Sequence, residues 1–262
     1  MKKILLSVAG FDPSSGAGVL LDLKVFQEFG FQGMSILTSL TAQNTKEVQR
    51  IHALPSRFLW EQYKTLEADV SFSGIKVGMI GSKDNIRVVS QILSRNKNMP
   101  RVVDPVFKSS EGAWLLKREF IPGYISAIGG KASLLTPNLE EAQLISGNQI
   151  KNPEDLKAAA EKIYFQTKIP CLIKGLGIRS TIMDLLYDGT KFYSFENEKI
   201  KKRVHGTGCF LSSSILGFLA EGHSLGKACL LASRFTHRAR QEAIKPGMGR
   251  YIIPFPRERK SK

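Results

Sequence analysis

Apolar residues recur along the chain in two patterns that alternate from one end to the other. Short apolar runs, typical of buried strands, occur at residues 4–8, 34–40, 74–79, 102–104, 133–135 and 171–174. Helical spacing of apolar residues predicts helices at residues 19–29, 83–94, 139–146 and 153–167. Alternating strands and helices predict a mostly parallel sheet that is covered by helices on both faces.

The pattern changes after residue 175. Short strands are predicted at residues 181–186 and 192–195, and Asp188-Gly189 between them is a strong hairpin signal. This hairpin adds antiparallel strands to one edge of the sheet, and two helices at about residues 209–220 and 225–244 complete the series. No repeat or linker-like change of composition interrupts the pattern. We therefore expect a single α/β domain over residues 1–262.

Composition narrows the class of protein. With 42% hydrophobic and 23% charged residues, the chain has the composition of a folded globular protein. It has no apolar run of the roughly 18 residues that a membrane-spanning helix needs, and the apolar stretch near its start is too brief for a secretion signal. Cys171, Cys209 and Cys229 leave one cysteine unpaired in any disulfide scheme. We therefore expect a cytoplasmic protein with free thiols and no membrane partner.

The net charge of +15 raises nucleic-acid binding as an alternative. However, the basic residues are spread along the chain without interleaved aromatic residues or a recognisable nucleic-acid motif. Two local basic runs, residues 199–203 and 257–262, are short. Positive charge also suits an enzyme of phosphorylated ligands, and we predict no nucleic-acid partner.

Two glycine-rich stretches are candidates for ligand contact. Gly206-Thr207-Gly208-Cys209 opens a predicted helix, where free amide hydrogens and the helix dipole attract anions. A thiol at such a helix start is expected to have a depressed pKa, although Cys209 could equally be a small buried apolar residue. The second stretch, residues 10–18, follows the first strand and is either a ligand-covering loop or a plain surface loop. It has neither the spacing of a phosphate-binding P-loop nor that of a dinucleotide-binding motif.

Polar residues also follow the other predicted strands, where ligands bind in sheets of this kind. Gln43 offers a donor and an acceptor to a heteroaromatic ring, or belongs to a turn. Asp104 ends a strand and is a candidate for a metal or phosphate site, and Lys174 ends another and is able to neutralise phosphate. Asn138 and Glu141 share one face of a helix start, or form a reciprocal helix cap.

Taken together and in this order, the motifs resemble the hydroxymethylpyrimidine kinase/phosphomethylpyrimidine kinase family of thiamine biosynthesis. The most specific matches are Gly16-Ala17-Gly18 with Asp22-Leu23-Lys24, Leu40-Thr41-Ala42-Gln43-Asn44-Thr45, Lys76-Val77-Gly78-Met79 and His205-Gly206-Thr207-Gly208-Cys209. The resemblance covers nearly the whole chain. It implies a ribokinase-like three-layer α/β/α domain with a mostly parallel central sheet and antiparallel edge strands.

The resemblance also implies an activity. Such an enzyme uses ATP and Mg²⁺ to phosphorylate 4-amino-5-hydroxymethyl-2-methylpyrimidine, and then phosphorylates the resulting monophosphate to the diphosphate. By resemblance, the pyrimidine would be held by Gly10, Asp22, Gln43 and Met79. Gly206, Thr207 and Gly208 would form the anion hole, with Cys209 as the base that takes the hydroxyl proton.

The remaining roles concern the nucleotide and the metal. The resemblance places Asp104, Asn138, Lys174 and Thr207 at the ATP phosphates, and Asp104 with Glu141 at Mg²⁺, partly through water. The segment Lys174-Gly175-Leu176-Gly177 departs from the family's usual Lys-Gly-Gly-His, which leaves the nucleotide contacts there open. Phe11 stands where serine is usual, Ser15 where glycine is common, and residues 106–112 follow the family only loosely.

Two alternative functions remain at this point. Pyridoxal also carries a hydroxymethyl group on a flat heteroaromatic ring, so pyridoxal or pyridoxine kinase activity is the alternative among enzymes. A regulator that binds a pyrimidine without catalysis is the alternative from another class, but Asp104, Glu141 and Cys209 are all present, which favours the enzyme. Relatives are commonly dimers, and a homodimer is therefore expected.

Overall fold

A computed structural model describes residues 3–109 and 112–255. Two features noted in the sequence are affected by these limits. Ser110 and Glu111, within the segment 106–112 that follows the family only loosely, lie outside the described residues, as does the whole basic run 257–262. Within the described ranges, no helix is both long and apolar enough to cross a bilayer.

Strands and helices alternate through most of the described chain. The strands are β1 Ile4–Phe11, β2 Gln32–Gln43, β3 Val48–Ala53, β4 Gly74–Val77, β5 Arg101–Val103, β6 Leu134–Leu135, β7 Cys171–Ile178, β8 Thr181–Tyr187 and β9 Phe192–Glu198. The helices are α1 Gly18–Glu28, α2 Ser56–Glu67, α3 Asp84–Arg95, α4 Ile121–Ile128, α5 Leu139–Ser146, α6 Pro153–Thr167, α7 Thr207–Ala220 and α8 Leu225–Gln241. A short 3-10 turn at Arg118–Phe120 precedes α4.

The strands of the described chain form one sheet in the order β3-β2-β1-β4-β5-β6-β7-β8-β9. Six neighbouring strands of this sheet pair in parallel, namely β2, β1, β4, β5, β6 and β7. β3 pairs antiparallel with β2 at one edge, and β8 and β9 continue antiparallel from β7 at the other. The predicted mostly parallel sheet with antiparallel edge strands is therefore confirmed.

Side chains of the central strands divide the core into two layers, because successive residues of a strand point to opposite faces. Leu6, Val103 and Leu135 pack with helices α2 to α6 on one face. Their sequence neighbours Leu5, Val102 and Leu134 pack with α1, α7 and α8 on the other. Burial on both faces explains why these strands read as continuous apolar runs. The result is a three-layer α/β/α architecture.

Three elements were absent from the sequence prediction, namely β3, α2 and α4. β3 is an edge strand without a fully buried residue, so its sequence Val-Gln-Arg-Ile-His-Ala carries little apolar signal. α4 holds Pro122 and Gly123 in its first turn, where proline is tolerated although it reads as a breaker. The second strand is also longer than predicted, and Gln43 is its last residue rather than part of a following turn.

Candidate active site

The carboxyl ends of the parallel strands and the first turn of α7 surround a cavity of about 600 Å³. Most residues that were singled out from the sequence line it. They are Gly10, Gln43, Met79, Asp104, Asn138, Glu141, Lys174, Gly206, Thr207, Gly208 and Cys209. Asp22 does not line the cavity.

The first turn of α7 is built on close backbone approach. Gly206 precedes the helix with a φ of +74°, a left-handed conformation that favours glycine. A Cβ atom at Gly206 would lie 1.8 Å from the carbonyl oxygen of Gly16. A Cβ atom at Gly208 would lie 3.1 Å from Nζ of Lys174. The two glycines therefore let the helix start pack closely against both the residue 10–18 loop and Lys174.

Replacing Gly206 with alanine should lower the free energy of unfolding by about 2–3 kcal/mol, from left-handed strain and overpacking together. Gly30 is a matched control, because it has the same φ of +74° but nothing within 4 Å of a Cβ atom. Gly30→Ala should cost only the strain, about 1 kcal/mol. Chemical denaturation of both variants measures the difference. Equal losses would show that contact between Gly206 and Gly16 is unimportant.

Asp104 and Lys174 form an ion pair on the floor of the cavity. Lys174 Nζ lies 2.7 Å from Asp104 Oδ1, and Thr136 Oγ1 donates to the same oxygen at 3.1 Å. Burial alone would lower the pKa of Lys174, but the carboxylates of Asp104 and Glu141 raise it above its ordinary value. The lysine is therefore a permanent positive charge beside the start of α7. Such a charge is suited to an anionic ligand.

Asn138 and Glu141 form a capping box at the start of α5. The Asn138 side chain accepts a hydrogen bond from the Glu141 backbone N–H at 3.0 Å, and the Glu141 carboxylate accepts from the Asn138 N–H at 2.8 Å. Burial raises the pKa of Glu141 to about 8; Lys174 opposes this shift and Asp104 adds to it. The reciprocal helix cap, which the sequence left open as an alternative to a ligand site, is thus present. It does not exclude a ligand role, because both residues also line the cavity.

Cys209 lies in the first turn of α7 and lines the cavity. Burial raises the pKa of its thiol to about 11; the charge of Lys76 and a hydrogen bond from the Gly18 backbone oppose this, and Asp22 and Asp104 add to it. The sequence-based expectation of a depressed pKa is therefore wrong. Desolvation and two nearby carboxylates outweigh the helix start.

Asp22 and Lys76 form a buried ion pair behind the cavity wall. Both side chains are 0% exposed, and Lys76 Nζ lies 2.8 Å from Oδ2 of Asp22. Ser7 Oγ and Ser213 Oγ donate to the two carboxylate oxygens at 2.6 and 2.7 Å. A direct contact of Asp22 with a ligand stays a prediction, since the structure gives its oxygens four other hydrogen bonds. The pair instead joins β1, α1, β4 and α7.

Gln43, Met79 and Gly10 meet at one end of the cavity. A Cβ atom at Gly10 would lie 3.0 Å from the sulfur of Met79, so the end of β1 lies against the residue that follows β4 by two positions. Gln43 is half-buried and its side-chain amide lies 3.0 Å from Nε2 of His205. His205 is in turn 2.9 Å from Oδ2 of Asp12. Asp12 lies in the residue 10–18 stretch and His205 begins the motif that ends at Cys209, but neither was given a role from the sequence.

The opposite end of the cavity is formed by β8, β9 and α8, which sequence reasoning did not connect with the site. Asp184 lies in the middle of β8, and burial raises the pKa of its carboxyl to about 6. Thr236 Oγ1, His237 Nδ1 and Arg240 Nε line this end and are buried without a hydrogen-bond partner in the described part of the chain. Unpaired buried polar atoms are costly, which favours a polar ligand at this end. Helical periodicity assigned these residues only to a helix, and no motif indicated them.

Known proteins match this chain over nearly its full length. The family model described as phosphomethylpyrimidine kinase matches residues 12–254. A hydroxymethylpyrimidine/phosphomethylpyrimidine kinase of Aquifex aeolicus is 38% identical over 254 residues, which are 96% of this chain and 100% of that protein.

Solved structures give the same fold. The phosphomethylpyrimidine kinase of Clostridium difficile has a TM-score of 0.77 at 32% identity, covering 91% of this chain and 99% of that one. Pyridoxal kinase of Staphylococcus aureus in complex with AMP-PCP has a TM-score of 0.85 at 30% identity, covering 97% and 93%. The fold is ribokinase-like. Since the family model and relatives of 30% identity or more match nearly the whole chain, the protein belongs to the phosphomethylpyrimidine kinase family.

Proposed function

We propose that the protein transfers a phosphoryl group from ATP to the hydroxymethyl group of 4-amino-5-hydroxymethyl-2-methylpyrimidine, and then to the resulting monophosphate. One observation carries this proposal. The Asp104–Lys174 ion pair, the glycine-bounded start of α7 and Cys209 share one cavity with Gln43 and Met79. This arrangement supports an anion site beside a heteroaromatic site in the same cavity.

The chemistry needs positioning and neutralisation of charge more than covalent help from the protein. The amides at the start of α7 and the ammonium of Lys174 would stabilise the charge on the phosphoryl group during transfer. Cys209 would take the proton of the substrate hydroxyl, with Thr207 beside it at the phosphates. The nucleoside of ATP would lie toward Asp184 and α8, where buried polar atoms of α8 have no hydrogen-bond partner within the described residues.

Mg²⁺ fits the residues that are present. In the described ranges, no three or more His, Cys, Asp and Glu side chains are grouped as a metal site. Mg²⁺ commonly uses only one or two carboxylates and takes its other ligands from water and substrate phosphates. Asp104 and Glu141 provide two carboxylates in one cavity and would hold the ion partly through water. When bound, it would neutralise charge on the phosphates.

The direct test is incubation of the protein with ATP, Mg²⁺ and the pyrimidine, with mono- and diphosphate products resolved over time. We expect the monophosphate first and the diphosphate later. ATP consumption without either product would contradict the proposal. A cytoplasmic location and a homodimer stay predictions; size measurement in solution tests the latter.

Pyridoxal kinase activity is a second candidate, favoured by a specific observation. The Staphylococcus aureus pyridoxal kinase has a higher TM-score to this chain than the Clostridium difficile phosphomethylpyrimidine kinase, 0.85 against 0.77. A competition assay, in which pyridoxal and the pyrimidine are present together with a limiting amount of enzyme, gives the ratio of the two kcat/KM values and so distinguishes the two activities. We expect the pyrimidine to have the larger kcat/KM.

A further inference from the structure

A chain of hydrogen bonds at one end of the cavity determines how the amide of Gln43 is oriented. Nε2 of His205 lies 2.9 Å from Oδ2 of Asp12 and 3.0 Å from the end of the Gln43 amide that the structure places as Nε2. The hydroxyl of Thr41 lies 3.2 Å from the other end of that amide and 3.0 Å from the carbonyl oxygen of Phe11. All these residues line the cavity. The number of hydrogens that these hydrogen-bonded groups can donate decides which end of the Gln43 amide is the oxygen.

Asp12 supplies a negative charge at the first position of this series of hydrogen bonds. The residue is 4% exposed, and Ser14 donates to its Oδ1 from both its backbone N–H, at 2.9 Å, and its hydroxyl, at 2.7 Å. Burial alone would raise the pKa of Asp12, but hydrogen bonds from His205 and Ser14 hold it below its ordinary value. An ionised carboxylate only accepts hydrogen bonds. Nε2 of His205 must therefore carry a hydrogen.

This hydrogen fixes the near end of the Gln43 amide. A protonated Nε2 cannot accept a hydrogen bond, so the Gln43 atom that faces His205 must be the oxygen. The hydrogen of Nε2 is then shared between the Asp12 carboxylate and the Gln43 oxygen. The placement in the structure, with Nε2 of Gln43 toward His205, sets two donors against each other, so the oxygen and nitrogen of the amide must be exchanged relative to it.

The far end of the amide gives the same answer independently. The carbonyl oxygen of Phe11 can only accept, so it uses the single hydroxyl hydrogen of Thr41. The structure places Oε1 of Gln43 at the remaining contact of the Thr41 oxygen. That contact needs a donor, which is the NH₂ group of Gln43 once the amide is turned over. Without that exchange, Thr41 would have to supply two hydrogens. The donor counts at both ends thus agree.

We propose that Asp12 and His205 are positioning residues that hold the Gln43 amide with its oxygen toward α7 and its NH₂ group toward Thr41. This inference rests on the proposed function. In that orientation the amide accepts from an exocyclic amine on the α7 side and donates to the adjacent ring nitrogen. The hydroxymethyl carbon of the pyrimidine neighbours its amine-bearing carbon. The hydroxymethyl group is therefore directed toward Gly206, which follows His205 in the chain.

The His205 ring is held firmly enough for this role. It is 7% exposed, and its backbone N–H donates to the carbonyl oxygen of Tyr251 at 2.8 Å. A Cβ atom at Gly16 would lie 2.5 Å from Cδ2 of the ring, so glycine there lets the loop pack against the imidazole. The position of the ring is therefore set by both the loop and the segment before α7.

The test compares equilibrium binding of two ligands without ATP, namely the 4-amino pyrimidine and the same pyrimidine lacking the amine. The native protein should prefer the amine at least about tenfold, as for one well-placed hydrogen bond. Asp12→Asn and His205→Leu should reduce this preference to less than about threefold. His205→Gln should retain most of it, because its NH₂ group can donate to Asp12 and Gln43 together. Asp69→Asn, at an exposed position, is the control for the loss of charge.

Nitrogen-15 spectra of the native protein test the same inference without any variant. We expect the His205 signal to report a hydrogen on Nε2, and a tautomer protonated only at Nδ1 would overturn the inference. If the native protein prefers the amine and all variants keep that preference, the positioning role is wrong while the proposed function stands. If the native protein binds neither pyrimidine, both are wrong.

Discussion

Replacing Cys209 with alanine should lower turnover of the pyrimidine at least about a hundredfold while its binding stays nearly unchanged, because only removal of the hydroxyl proton is lost. Steady-state kinetics combined with equilibrium binding measure the two effects separately. Cys229→Ala is the matched control, since Cys229 is a buried cysteine of α8 that does not line the cavity. Near-normal turnover in Cys209→Ala would remove the assignment of this residue as the base.

The elevated pKa of Cys209 adds a pH dependence to this result. With a pKa of about 11, only about one thiol in 10⁴ is ionised at pH 7. If the thiolate is the base, turnover should rise about tenfold for each pH unit between pH 7 and pH 9. In Cys209→Asp the base is a carboxylate that is already ionised, so the profile should be flat over that range. A flat profile for the native protein would show that the free thiolate is not required.

Replacing Lys76 with methionine should lower the free energy of unfolding by about 3–5 kcal/mol, because it leaves the Asp22 carboxylate buried without its counter-charge. Both side chains of this pair are 0% exposed, so water cannot compensate. Loss of the lysine also removes a charge that lowers the pKa of Cys209, so turnover should fall as well. Chemical denaturation and steady-state kinetics check the two consequences.

An exposed ion pair provides the control for Lys76. Arg57 and Glu61 are one helical turn apart on α2, with side chains 91% and 52% exposed. Arg57→Met should change stability by less than about 0.5 kcal/mol, as is usual for surface pairs. Adding Asp22→Asn to Lys76→Met should recover part of the lost stability, since the buried charge is gone. A Lys76→Met protein as stable as the native one would contradict this account.

Much of the architecture was readable from local patterns. The helix predicted at residues 153–167 has those same bounds in the structure, where the Asn152 side chain caps it by accepting from the Asp155 N–H. The Asp188-Gly189 turn and the glycine-bounded start of α7 were likewise predicted correctly. These features depend on a few adjacent residues, so the sequence carries them directly. β3 was missed because it is an edge strand with little apolar spacing of its own. α4 was missed because Pro122 and Gly123 read as breakers, although its buried residues have helical spacing.

The sequence by itself determined most of the strands and helices, the family resemblance and a set of candidate residues, nearly all of which line the cavity. Only the tertiary structure decided how those residues are paired and what charge they carry. It placed Asp22 behind the cavity wall with Lys76, raised the pKa of Cys209 and brought Asp12 to His205 across 193 positions of the chain. The reason is physical: a pKa or the orientation of an amide depends on burial and on neighbours that are distant in sequence, and only folding brings these together.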